Sequence, residues 1–106
     1  MAYEVVLDPL VVDKVDEIVG YISEVLASPN AATSFLDAFE ELVGNLEELP
    51  LAYPFAQDPR IAARGYRRAL VGNYLVLFRV DETGERSGVV LVTNVFHGSQ
   101  NYRELL

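Results

Sequence analysis

The spacing of apolar positions divides the chain into a helix-forming first half and a strand-forming second half. From Val11 onward apolar residues recur at three- and four-residue steps through Val15, Ile18, Val19 and Ile22 to Val25 and Leu26, the repeat that stacks side chains on one helix face. Asp13, Lys14, Asp16, Glu17 and Glu24 fall on the opposite face. Asp8 is an N-cap candidate, and Pro9 suits the first turn, where its missing N–H has no intrahelical partner to lose. Ser28, Pro29 and Asn30 interrupt the repeat. A second helix is predicted beyond them, with Asn30 as its cap and an apolar stripe of Ala32, Phe35, Phe39, Leu42, Val43, Leu46 and Leu49. So short a connection favours an antiparallel helical hairpin.

Strand-like patterning occupies the rest. Residues 3–7 are short and β-branched and are ended by Asp8 and Pro9, which predicts a first strand. Pro50, Pro54 and Pro59 punctuate residues 51–60, predicting a loop that Tyr53 and Phe55 pin to the core. Residues 66–71 and 74–80 read as two strands joined through Gly72 and Asn73, both of which tolerate positive φ. Residues 81–88 form the next turn, and residues 89–96, the most apolar run, predict the central strand. Gly98 and Ser99 end it, and residues 101–106 suffice only for a terminal turn.

The order β-α-α-β-β-β predicts an α+β fold in a single domain, residues 1–106, with an N-terminal helical hairpin packed on one face of a small, mainly antiparallel sheet. Alternation places Leu75, Leu77 and Arg79 on the face opposite Tyr74, Val76, Phe78 and Val80, and sends the adjacent Arg67 and Arg68 to opposite faces. The helices are expected to shield one face and to leave guanidinium groups free on the other.

Composition narrows the function classes. With 51% hydrophobic and 23% charged residues the chain has the apolar content of a folded domain. It has no cysteine, which removes disulfides, thiolate nucleophiles and Cys-based zinc sites and is compatible with a reducing compartment; the expected location is the cytoplasm. No signal peptide or membrane span is expected, because charges interrupt every apolar run. The net charge of −8 argues against indiscriminate nucleic-acid binding. That total is unevenly spread: residues 1–50 hold most of the acids against the single base Lys14, whereas every base from residue 51 onward is arginine. Guanidinium forks suit carboxylate and phosphate, so the second half has the means for a local anion-binding surface.

His97 is the only histidine and stands where the last strand ends. With Arg68, Tyr102 and Arg103 it forms a set that chemistry can use for RNA cleavage, arginine neutralising the scissile phosphate and imidazole or phenol moving protons. Each also has a plain structural use: a hydrogen-bonded strand end for His97, pairing of Arg67 and Arg68 with helix acids, a packed anchor for Tyr102, a surface charge for Arg103. No metal motif, phosphate loop, dinucleotide fingerprint or serine elbow is present.

Several segments in order carry a resemblance: residues 3–7; residues 18–23; residues 29–32 in the helix turn; residues 46–50; residues 65–68, beginning Gly65 and Tyr66; residues 71–80; and residues 95–106 from Val95 through His97 and Tyr102. Across nearly its full length the chain resembles the RelE/ParE superfamily of bacterial toxins, the toxin halves of type II toxin–antitoxin modules. The resemblance implies a cytoplasmic growth-arresting toxin, neutralised by a cognate antitoxin protein, whose target is either DNA gyrase or the ribosome with its mRNA. No cofactor, metal or membrane is implied. If the chain is a metal-independent, ribosome-dependent mRNA endoribonuclease, Arg68, His97 and Tyr102 match the catalytic positions. Arg67, Arg79 and Arg103 are the target-binding candidates. Ser99 and Gln100 stand where many relatives carry an arginine or lysine pair, and Leu75 stands where the nuclease branch commonly has arginine. These departures favour a gyrase-like mode over RNA cleavage, with a non-toxic domain that keeps only antitoxin binding as a further alternative.

Overall fold

The computed structural model describes residues 2–82 and 88–98. Strand β1 (Glu4–Leu7) leads into helix α1 (Pro9–Gly20), a π-helical turn (Tyr21–Val25) and the long helix α2 (Pro29–Glu48). A 3-10 turn (Pro50–Ala52) and the short helix α3 (Pro59–Ala63) precede the meander β2 (Tyr66–Val71), β3 (Tyr74–Asp81) and β4 (Val89–His97). The sheet order is β1-β4-β3-β2, with β1 parallel to β4 and the other pairs antiparallel. The expected α+β order and the central position of residues 89–96 are therefore both found.

Prolines start the helices here more than they break them. Pro9, Pro29, Pro50 and Pro59 each occupy the first turn of a helical segment. Asp8 caps α1 as expected, its carboxylate accepting from the Leu10 amide at 2.8 Å. Two expectations need correction. Ser28, not Asn30, caps α2, its hydroxyl accepting from the Ala31 amide at 3.4 Å. Pro29 brings its φ already set for the first helical position, so the helix begins one residue before the expected cap. Residues 51–60 are likewise not all loop: Asp58 accepts from the Arg60 amide at 2.8 Å and opens α3 at Pro59.

The main core lies between the helix pair and one sheet face. Val11, Val15 and Ile18 of α1 and Phe35, Phe39, Leu42 and Leu46 of α2 meet Ala69, Val71, Val76, Phe78, Val90, Val92 and Val95 of the sheet. A smaller cluster on the other face joins Leu75, Leu77 and Phe96 to Ala56 and Ile61, with Tyr66 packed against it. The second face, expected to stay partly open, is thus covered at one part and open at Arg79 and Leu70. α3 and the segment before it cover the Leu75 end, because three large apolar side chains there need removal from water.

One irregularity decides which residues share a face. Leu77 pairs with Asn94 but Phe78 pairs with Val92, leaving Thr93 as the extra residue of a β-bulge whose hydroxyl donates to the Leu77 carbonyl at 3.3 Å. Beyond the bulge the alternation of β4 inverts. Val92 and Val95 both face the helices, and His97 follows them. After β4, the Gly98 amide donates to the Asn73 carbonyl at 2.7 Å, and a Cβ at residue 98 would stand 2.9 Å from that oxygen. Glycine is what lets the strand end so close to the β2–β3 turn.

Candidate functional site

On the face away from α1 and α2, side chains line up in rows across β2, β3 and β4. Tyr66, Arg79 and Leu91 form one row, Arg68, Leu77 and Asn94 the next, and Leu70, Leu75 and Phe96 the third. Arg68 and Arg79 are diagonal neighbours on adjacent strands, a separation within reach of long side chains. The exposed Arg79 guanidinium sits 5.6 Å from the centre of the Tyr66 ring. Arg68 is half-buried, and its Nε is buried without a hydrogen-bond partner among the described residues. Leu70, at the end of β2, is 67% exposed. The surface therefore offers two guanidinium groups, one phenol and one large aliphatic side chain together, the residue types that dominate binding energy at protein interfaces apart from the leucine.

Arg67 points the other way. Its Nη1 donates to the Tyr53 carbonyl at 2.6 Å and to the Leu51 carbonyl at 3.4 Å, while the guanidinium carbon lies 4.0 Å from the centre of the Phe55 ring. This arginine is committed to holding the segment between α2 and α3. The Phe55–Arg67 bridge and the bonds from the Ala56 amide to Tyr66 and from the Arg68 amide to Pro54 lay the same segment along the outer edge of β2. Tyr53 also packs edge-on against Phe78, the ring centres 5.7 Å apart.

His97 lies on the helix side, its ring edge-to-face with Tyr74 at 5.2 Å and next to Lys14, Glu17, Ile18 and Tyr21. Arg68 and His97 consequently project from opposite faces of the sheet. Sequence alternation alone would have put His97 on the Arg79 face, since Leu91 and His97 share parity and Leu91 is the partner of Arg79. The signal that could have found the inversion is the spacing of Val92 and Val95, three residues apart instead of two. Tyr102 and Arg103 lie outside the described residues.

A feature that residue-type reasoning did not place is the groove between α1 and α2. Val12, Val15, Leu36, Phe39 and Val43 line it with Leu7 of β1, Asp16 and Glu40 stand at its rim, and its volume is about 350 Å³. Val12 and Leu36 remain exposed there. Among the described residues no helix is long and apolar enough to cross a membrane.

The family model described as ParE toxin of type II toxin-antitoxin system, parDE, matches residues 5–102. No curated protein matches the chain.

Proposed function

The chain belongs to the ParE toxin family of type II toxin–antitoxin systems, and from that premise we propose that it arrests growth by binding a macromolecular target through the Arg68 and Arg79 face, in a gyrase-like mode and not by cutting RNA. The observation that carries this reading is the separation of Arg68 from His97 by the thickness of the sheet. Cleavage of RNA by general acid–base chemistry needs the phosphate-neutralising cation and the proton-transfer group to converge on one scissile bond, within hydrogen-bond reach. Arg68 converges instead with Arg79 and Tyr66, a grouping suited to carboxylates and aromatic or aliphatic anchors of a protein surface.

Membership of the family brings a cognate antitoxin as partner. We assign its docking to the α1–α2 groove, where an apolar floor between Asp16 and Glu40 suits an apolar segment with basic flanks.

Two assays on one preparation test the proposal. The purified chain is added to a gyrase supercoiling reaction, and translated message is examined by primer extension after induced expression. The expected result is lost supercoiling with uncut message, weakened about ten-fold or more in an Arg68→Ala, Arg79→Ala double variant, as befits removal of charged contacts each worth more than 1 kcal/mol. New cuts in the message that vanish in His97→Ala would overturn it in favour of the nuclease reading. Normal growth at confirmed soluble expression would leave a non-toxic antitoxin-binding domain.

A further inference from the structure

His97, expected beside an arginine, has other company in the structure. Behind the end of β4 lies a cavity of about 320 Å³ lined by Lys14, Glu17, Ile18, Tyr21, Tyr74 and His97. This size is at the lower end of the range for small-molecule sites, which are mostly apolar and aromatic with a few polar groups to fix orientation. Three of the six lining residues carry aromatic rings. Tyr74 is held from behind by Phe35, edge-on with ring centres 5.2 Å apart, and His97 is held by Tyr74 at the same distance. The Tyr74 ring is therefore positioned by core packing, and the exposed His97 ring rests edge-on against it.

The third ring comes from an irregular stretch of helix. At Tyr21 the α-helical repeat of α1 widens into the π turn, in which the Leu26 amide bonds back to the Tyr21 carbonyl at 3.1 Å. Such turns inside helices are rare and frequent at functional sites. Tyr21 is half-exposed, so its ring contributes a wall of the cavity without being buried in the core.

Two charged groups complete the mouth. Lys14 is the only lysine of the chain, and its ammonium lies 3.7 Å from the Glu17 carboxylate. A surface pair at this distance on one helix contributes little, so the ammonium can turn to another anion at small cost. Aromatic rings that accept a planar base, one cation for a phosphate and one carboxylate for exocyclic amino or ribose hydroxyl donors are the complement of a nucleotide. We propose that this cavity binds a purine nucleoside monophosphate, with the base against Tyr21, Tyr74 and His97 and the phosphate on Lys14. The charge count sets the preference for one phosphate: Glu17 stands at the same mouth and the chain carries a net charge of −8, so each further phosphate adds more repulsion than Lys14 can offset.

His97 supplies the reporter, because as the sole histidine its ring C–H signals in a proton–carbon NMR spectrum of the labelled full chain come from this cavity alone. Titration with AMP is expected to move them saturably, with adenosine about ten-fold weaker, the difference one charge-assisted contact makes. ATP is expected to bind more weakly than AMP. Lys14→Ala should reduce AMP affinity to the level of adenosine and leave adenosine unchanged. Tyr21→Ala, at a half-exposed position that leaves the core intact, should abolish the shift, and Tyr21→Phe should retain it. The proposal is overturned by an absence of saturable shift with millimolar AMP, by an equal shift with inorganic phosphate alone, by ATP binding as tightly as AMP, or by an undiminished shift in folded Tyr21→Ala protein.

Discussion

The Arg67 guanidinium donates a 2.6 Å hydrogen bond to the Tyr53 carbonyl oxygen, tying β2 to the segment between α2 and α3. The same guanidinium covers the Phe55 ring at 4.0 Å. A hydrogen bond from a charged donor contributes about 1.5–3 kcal/mol and an exposed cation–π contact about 0.5–1 kcal/mol. Arg67→Ala is therefore expected to destabilise the fold by roughly 2–4 kcal/mol in chemical denaturation. Arg67→Lys should recover only part of this, since an ammonium cannot reproduce the fork and plane of guanidinium. An Arg67→Ala midpoint equal to that of the wild type would show that the segment is held by its β2 edge bonds alone.

Asp58 is 4% exposed and caps α3 beside the exposed Arg60, whose guanidinium is 3.6 Å from its carboxylate. The Arg60 backbone amide is the main influence holding this carboxyl below its ordinary value of 3.8, against an opposing upward push from burial and with further help from the Arg60 side chain and the Ile61 amide. A depressed folded value means that the carboxylate stabilises the fold in full above 3.8, progressively less as pH falls toward the folded value, and not at all below it. The difference in melting temperature between wild type and Asp58→Asn should accordingly be constant at neutral and weakly acidic pH and shrink only below the ordinary carboxylate range. A difference that already shrinks near neutrality would point to another group.

Ala27 adopts a left-handed φ of 52° in the connection between the π turn and α2. Alanine there carries a steric cost of about 1–2 kcal/mol that glycine avoids, while glycine loses about 0.5–1 kcal/mol more chain entropy on folding. Ala27→Gly should raise stability by roughly 0.5 kcal/mol, a small shift of the denaturation midpoint at unchanged slope. A loss of stability would mean that the connection is not held at this conformation in solution.

The helices were legible because their apolar repeats run over many turns and their caps are chemical signals: Asp8 before Pro9 was read as it stands. The hairpin at Gly72 was equally legible, with Gly72 at a φ of 58°. Asn30 was misplaced because any of several small polar residues near a proline can cap, and Ser28 wins by standing immediately before Pro29. The candidate site was only half legible. Alternation sorted Arg67 from Arg68 correctly, each directly opposite a residue of known face in β3. Alternation carried along β4 would misplace His97, because the bulge at Thr93 lies between that residue and the start of β4. A single extra residue inverts every side chain after it, and its cause is tertiary: both Val92 and Val95 gain burial against the helices.

Arg68 carries the proposed target contact at a cost to the free chain. Its Nε is buried without a partner among the described residues, next to the apolar Leu77 and Leu75 on its own face. An unsatisfied buried donor costs about 1–3 kcal/mol, although the rest of this half-buried guanidinium has access to water and lowers that figure. Replacing it with an aliphatic group of similar length removes the orphan and keeps the packing. Arg68→Met is therefore expected to leave the chain as stable as the wild type or up to about 1 kcal/mol more stable, while weakening growth arrest on induction. Denaturation midpoints and growth curves at matched soluble expression check both halves. A variant that loses stability would show Arg68 to be a structural residue, and one that gains stability yet remains fully toxic would remove Arg68 from the target contact.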